Sequence, residues 1–192
     1  MNEKRIIPFI DLCLNTLFVF IILYNPEQEK DKKKEGLPTL GEYAVVVKWG
    51  DKSEDDVDTY VRDPNGNIAF FRAREVGLLH LERDDLGASN DTTKSDDGNI
   101  IKVDGNEERV ILRGIVPGEY IANVHMYRKR DPTPTKVTIS LLDIKGRGNT
   151  VTEREVTLER DGDEETAFRF TLTTDGKVAD INRLPHFFTK NP

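Results

Sequence analysis

Nineteen consecutive residues, IIPFIDLCLNTLFVFIILY from Ile6 to Tyr24, carry a single side chain that is charged at neutral pH in water, Asp11. As an α-helix rising ~1.5 Å per residue, such a run reaches across roughly the ~30 Å hydrocarbon core of a bilayer. Pro8 falls in the first turn, where a missing N–H costs little. Each Leu, Ile, Phe or Val contributes roughly −0.3 to −0.6 kcal/mol toward insertion, against roughly +3 kcal/mol for a central Asp, so a dozen apolar residues outweigh one acid near an end. The competing reading is a cleaved signal peptide, with Lys4 and Arg5 as its basic region. The run is too long for that, contains Asp11, and leads into YNPEQE without a small-residue cleavage site. A single transmembrane helix over 6–24 is therefore expected.

Asp11 is the residue that most sharpens this reading, because ionisable groups inside a membrane are rare and face a protein partner or a water path. At ~100° per residue, Asn15 lies ~40° from Asp11, Phe18 and Ile22 within ~20°, and Pro8 within ~60°. One helix face thus gathers Pro8, Asp11, Asn15, Phe18 and Ile22, and that face requires a partner. Burial disfavours the charged carboxylate and brings proton loading and release within reach of physiological pH. The bland alternative is an Asp tolerated near the interface. Lys4 and Arg5 precede the run and Lys30, Lys32, Lys33 and Lys34 follow it, so basic residues alone leave the orientation open.

The string Ile7-Pro8-Phe9-Ile10-Asp11-Leu12, followed by Leu14, Leu17, Phe18, Phe20, Ile22 and Leu23, resembles the transmembrane helix of the ExbD/TolR family and, more distantly, MotB. The resemblance covers about 20 of 192 residues. It implies the ion-carrying half of a rotary motor unit in a bacterial inner membrane, ExbBD-, TolQR- or MotAB-like. Two copies of the helix would sit inside a pentamer of ExbB/TolQ/MotA-like multi-pass subunits, with Asp11 carrying the proton. It also implies a short cytoplasmic tail at 1–5 and a periplasmic remainder. Asn15 departs from the family, which is apolar near that position, and joins Asp11 as a candidate for ion translocation. The alternative is a membrane-anchored β-sandwich binding or structural module without ion transport.

Residues 25–42 form a charged linker in which Glu27, Glu29, Asp31 and Glu35 interleave with the four lysines. No apolar period suggests a helix there. Residues 43–192 read as mainly β. Strands are expected at 43–49, 57–62, 67–74, 77–81, 109–114, 119–127, 136–144, 151–160, 164–173 and 177–182. In 119–127, Tyr120, Ala122, Val124 and Met126 alternate with Ile121, Asn123, His125 and Tyr127, the pattern of a half-buried antiparallel strand. Asn65-Gly66, Asp161-Gly162 and Asp175-Gly176 read as two-residue hairpin turns, Pro117-Gly118 as a tight turn, and Gly146-Arg147-Gly148 as a hairpin turn. Residues 84–108 read as a long polar loop. An antiparallel β-sandwich, immunoglobulin-like or jelly-roll-like, is expected.

A weaker resemblance covers roughly 43–143. It rests on Asp56–Gly66, Leu81–Asp84, Arg113-Gly114 and Pro117–Tyr120, which are similar to an uncharacterised family of bacterial extracytoplasmic β-sandwich domains. It implies a fold and a binding role, not a chemistry. The peptidoglycan-binding motif of MotB and the mixed sheet–helix periplasmic fold of ExbD and TolR are not evident.

Within the sandwich, Asp56, Asp58, Asp63 and Asp84 are candidate ligands for Ca²⁺, and no other cofactor is expected. They do not have EF-hand spacing, and with Asp51, Asp55 and Asp85 they read more simply as solvated loop and turn acids. His80, His125 and His186 are isolated in the sequence, and no nucleophile, zinc or phosphate-loop motif accompanies them. No catalytic residue is assigned and no enzyme is expected. Cys13 lies within the apolar run as a small packing residue. The net charge of −7 disfavours a nucleic-acid partner, and all of it belongs to residues 26–192, because Glu3 and Asp11 balance Lys4 and Arg5.

Overall fold

A computed structural model describes residues 41–87, 92–94, 100–102, 105–145 and 148–189. Asp11, Asn15, Pro8, Phe18 and Ile22, with the whole 6–24 run and most of the linker, lie outside the described residues, as do Gly146 and Arg147. Among the described residues, no helix is long and apolar enough to cross a membrane.

The described chain is mainly β, built as two antiparallel sheets. The first contains β1 (Tyr43–Trp49), β4 (Glu75–Val76), β5 (Leu79–Arg83), β8 (Asn106–Leu112), β10 (Thr135–Asp143) and β11 (Asn149–Leu158), in the order β11-β10-β1-β8-β5-β4. The second contains β2 (Asp56–Arg62), β3 (Ile68–Ala69), β9 (Gly118–Arg128), β12 (Glu164–Leu172) and β13 (Val178–Asn182), in the order β13-β12-β9-β2-β3. A separate two-stranded ribbon joins β6 (Thr92–Lys94) to β7 (Ile100–Lys102).

Alternation decides which side chains meet between the sheets. Tyr43, Val45, Val47 and Trp49 of β1 pack with Val110 and Leu112 of β8, and with Val137, Ile139 and Leu141 of β10. The second sheet answers with Val57, Val61, Tyr120, Ala122, Val124, Met126, Phe168, Phe170 and Leu172. Each such aliphatic or aromatic side chain contributes roughly 1.5–3 kcal/mol on burial. β1 lies inside its sheet, and its other face is covered too: Ala44 and Val46 form a second small cluster with Ile111, Leu142 and Ile144. In β9 the expected alternation sends Tyr120, Ala122, Val124 and Met126 into the core, but the strand is not half-buried, because Ile121 and Asn123 on its other face are buried as well.

Several expectations are corrected. The strand expected at 67–74 pairs with β2 only at Ile68–Ala69; Phe70 turns back in an isolated bridge with Ala73 and stacks on Tyr60, and Phe71 tilts against Tyr127. Gly77 does not begin a strand. At φ +57° it turns the two-residue hairpin between β4 and β5, with Val76 opposite Leu79. The turns at Asn65-Gly66 and Asp175-Gly176 have three-residue loops, not two. Gly66 donates to the Asp63 carbonyl and Gly176 to that of Thr173, each with positive φ, as in a type I turn closed by a left-handed glycine. The β11–β12 connection containing Asp161-Gly162 spans five residues, 159–163. Gly118 is not a turn residue; it opens β9 where the chain crosses between sheets. A Cβ there would stand 2.7 Å from Cβ of Pro64. The loop expected at 84–108 gives up its end to β8 and contains the β6–β7 ribbon.

Candidate metal centre

β2 places Val57, Thr59 and Val61 toward the core and Asp56, Asp58 and Tyr60 on the opposite face. That second face is not solvated: Asp56 and Asp58 are each 4% exposed. Tyr60 stacks between Phe70 and Phe188, and His125 of the adjacent β9 meets its ring edge-on at 6.0 Å. The covering chain is the C-terminal segment after β13. It is held where the His186 carbonyl accepts from Asn123 and Thr166, and where the Glu164 carboxylate accepts from the Phe188 and Thr189 amides at 2.7 and 2.9 Å.

The edge of β2 is the key to the site. β3 pairs only with Val61 and Arg62, so the N–H of Thr59 emerges on an edge that, among the described residues, has no strand beside it. Glu108, on the inward face of β8 in the opposite sheet, accepts that N–H at 2.6 Å through Oε2. Its other oxygen, Oε1, is buried and accepts nothing. Asp84, just beyond β5, receives Arg74 on Oδ2 at 3.5 Å and leaves Oδ1 buried and unpaired. Asp58 Oδ2 is likewise unpaired, and His125 Nδ1, at 3.7 Å, is too distant for a hydrogen bond. One carboxylate oxygen from each of Asp58, Asp84 and Glu108 lies within 4.8 Å of the other two. Asp56 Oδ1, also buried and unpaired, shares a cleft of about 190 Å³ with Asp58, Asp84, Phe71, Leu86 and Tyr127.

Removing carboxylates from water without partners disfavours their charged forms. Burial pushes Glu108 well above the usual carboxylate range, with Asp58 and Asp84 adding to the shift against the restraint of the Thr59 N–H. Burial raises Asp58 as well, with His125 opposing it. Asp56 is pushed up to about 6, by burial first and then by the charge on Asp58. Such a group of acids can either share protons or hold a hard cation.

Only part of this was expected. Asp56, Asp58 and Asp84 do come together. Asp63 does not: it lies five residues along the chain from Asp58, ~17 Å in an extended strand. It accepts from the Asn67 backbone at 2.9 Å and side chain at 2.7 Å, closing the β2–β3 turn. The reading of these residues as solvated is overturned for Asp55, Asp56, Asp58, Asp63 and Asp85, all at most 4% exposed, while Asp51 is an exposed turn acid and Asp63 keeps the turn role expected of it. His125 and His80 are not isolated either; His80 lies 3.0 Å from Glu75. Glu108 was missed because it was assigned to the polar loop. The available signal was the alternation Asn106, Glu108, Val110, Leu112, which extends an inward strand face onto an acid.

Compared with protein-family models, with curated proteins and with solved structures, the chain finds no match in any of the three.

Proposed function

We propose that this chain is the ion-carrying subunit of an ion-driven rotary motor in a bacterial inner membrane, ExbBD-, TolQR- or MotAB-like. One observation carries the reading: Ile7-Pro8-Phe9-Ile10-Asp11-Leu12 opens a 19-residue apolar run whose only Asp, Glu, Lys, Arg or His is Asp11. In this reading the helix spans residues 6–24 with the N-terminus cytoplasmic. Two copies stand inside a pentamer of multi-pass partners, and protonation of Asp11, with Asn15 beside it, gates ion flow. The linker passes the motion to a periplasmic sandwich, which couples it to an envelope target. The same-sheet hairpins β2–β3, β10–β11 and β12–β13 favour an immunoglobulin-like over a jelly-roll description of that sandwich.

The test is purification of the full chain from its native membrane, with mass measurement and proton-uptake assays in liposomes. Two copies with five of a multi-pass partner are expected, conducting protons in the wild type and not after Asp11→Asn, with assembly intact. A chain that purifies without any partner, or an Asp11→Asn complex that conducts like wild type, overturns the proposal. The rival reading, an anchored binding module, draws on the acidic cleft, which owes nothing to the helix. It predicts that an unrelated apolar helix in place of 6–24 preserves function.

A further inference from the structure

We propose that Asp58, Asp84 and Glu108 form a calcium site that staples the two sheets of the sandwich at the uncovered edge of β2. The inference is independent of the motor reading, because it rests on the sandwich alone. Glu108 comes from β8 and Asp84 from the end of β5, both in the first sheet, while Asp58 comes from β2 in the second. An ion held by all three therefore links the two sheets around the edge of β2, where no backbone ladder joins them.

The carboxylates are oriented as ligands rather than as a chance crowd of charge. Glu108 and Asp84 are each held through one oxygen, by the Thr59 N–H and by Arg74, and the other oxygen of each is buried without a donor. The orphaned oxygens of Glu108 and Asp58 belong to residues 1% and 4% exposed. A buried acceptor with no donor is costly, and each such group requires a partner. Arg74 and His125 are the basic side chains facing the group, which is fewer than its carboxylates.

The donor set selects the ion. Carboxylate oxygens suit hard cations, and calcium takes six to eight oxygens at ~2.3–2.6 Å. Two oxygens bound to one calcium ion stand up to ~5.2 Å apart, so three that lie within 4.8 Å of one another can share one. Magnesium demands near-ideal octahedral geometry at ~2.0–2.1 Å and dehydrates reluctantly, which suits it less to a set of three carboxylates fixed by separate strands. Zinc would prefer the imidazole of His125, which instead packs against Tyr60. The cleft bounded by Phe71, Leu86 and Tyr127 leaves room for the waters that complete the shell, and Asp56 at its wall adds a fourth carboxylate.

Calorimetric titration of the full-length, detergent-purified chain at pH 7.5 tests this, with CaCl₂, MgCl₂ and ZnCl₂ as probes. One calcium per chain is expected, with a Kd of ~10⁻⁴–10⁻³ M, typical of extracellular modules, and at least tenfold preference over magnesium. Asp58→Asn and Asp84→Asn should each weaken it at least tenfold. Glu159→Gln, an exposed acid elsewhere, should leave it unchanged. Asp84 sits at the rim, so its variant is informative even where Asp58→Asn impairs folding. Absence of saturable calcium binding by the folded chain, which would leave the acids sharing protons, overturns the proposal. So does calcium binding that survives Asp84→Asn, or a preference for magnesium or zinc.

Discussion

Two acidic regions lie only a few residues apart in the chain and are wired in opposite ways. Asp55 is fully buried and fully partnered. Its carboxylate takes the Lys129 ammonium at 2.8 Å, the Arg130 and Asp131 amides at 2.6 and 2.8 Å, and the Thr135 hydroxyl. Its carbonyl accepts the indole N–H of Trp49, the only tryptophan of the chain. It ties the β1–β2 connection to the β9–β10 connection. Asp58 and Glu108 are almost as enclosed and Asp84 stands at their rim, yet an oxygen of each goes unpaired. Burial with opposite satisfaction separates a charge retained for the fold from charges gathered for something else.

Removing the satisfied acid should have the largest effect. Asp55→Ala leaves Lys129 buried and unpaired, and a broken buried ion pair costs about 3–5 kcal/mol. Urea unfolding followed by Trp49 fluorescence measures that loss directly. A loss under 1 kcal/mol would erase the distinction between the two regions.

Glu164 is a third enclosed acid and resembles Asp55 in being satisfied. Burial would raise its pKa, but the amides of Phe188 and Thr189, the Thr189 hydroxyl and Asn123 outweigh it and hold it below the usual range. Glu164→Gln should cost about 1–2 kcal/mol. The loss should appear first as faster hydrogen exchange at Phe188 and Thr189, because the C-terminal segment is released before the sheets separate.

Asp58→Asn in calcium-free buffer should have the opposite sign. Removing one of several unpaired like charges stabilises the sandwich by about 1 kcal/mol. In calcium the same substitution should destabilise relative to wild type, and that inversion sharpens the contrast with Asp55.

The pH dependence should separate neighbours in the sequence. For Asp55, burial alone would raise the pKa, but Lys129, Thr135 and the two amides bring it down to about 2. That lies below its unfolded value of ~3.9, so its stabilisation is present above ~4 and lost as pH falls through about 2. Asp56, raised to about 6, carries the reverse sign. Its charge opposes folding above about 6, and the penalty is relieved as pH falls toward ~4. Calcium-free stability should therefore rise on mild acidification and collapse only in strong acid. Asp56→Asn should flatten the rise and leave the collapse, as thermal melts from pH 3 to 8 would register.

The strands were largely legible because inward residues recur at every second position. Val45, Val47 and Trp49, or Phe168, Phe170 and Leu172, read as core faces without any knowledge of the partner sheet. The failures share one cause. Phe70 and Phe71 look like strand residues, and only the ring of Tyr60 and the neighbouring Tyr127 reveal where they go. Asp58 and Asp63 look alike in a run of acids, but one meets Asp84 and Glu108 and the other folds back on Asn67.

What the sequence determined by itself is what depends on neighbours along the chain: the 6–24 apolar run with its single acid, the period-2 strand faces, and the glycines that turn hairpins. Tertiary structure alone decided which acids meet. Glu108 and Asp58 are fifty positions apart, and they are brought together because β3 stops short and bares the edge of β2. Satisfaction of a buried charge is a property of the groups around it in space, and no local pattern encodes it.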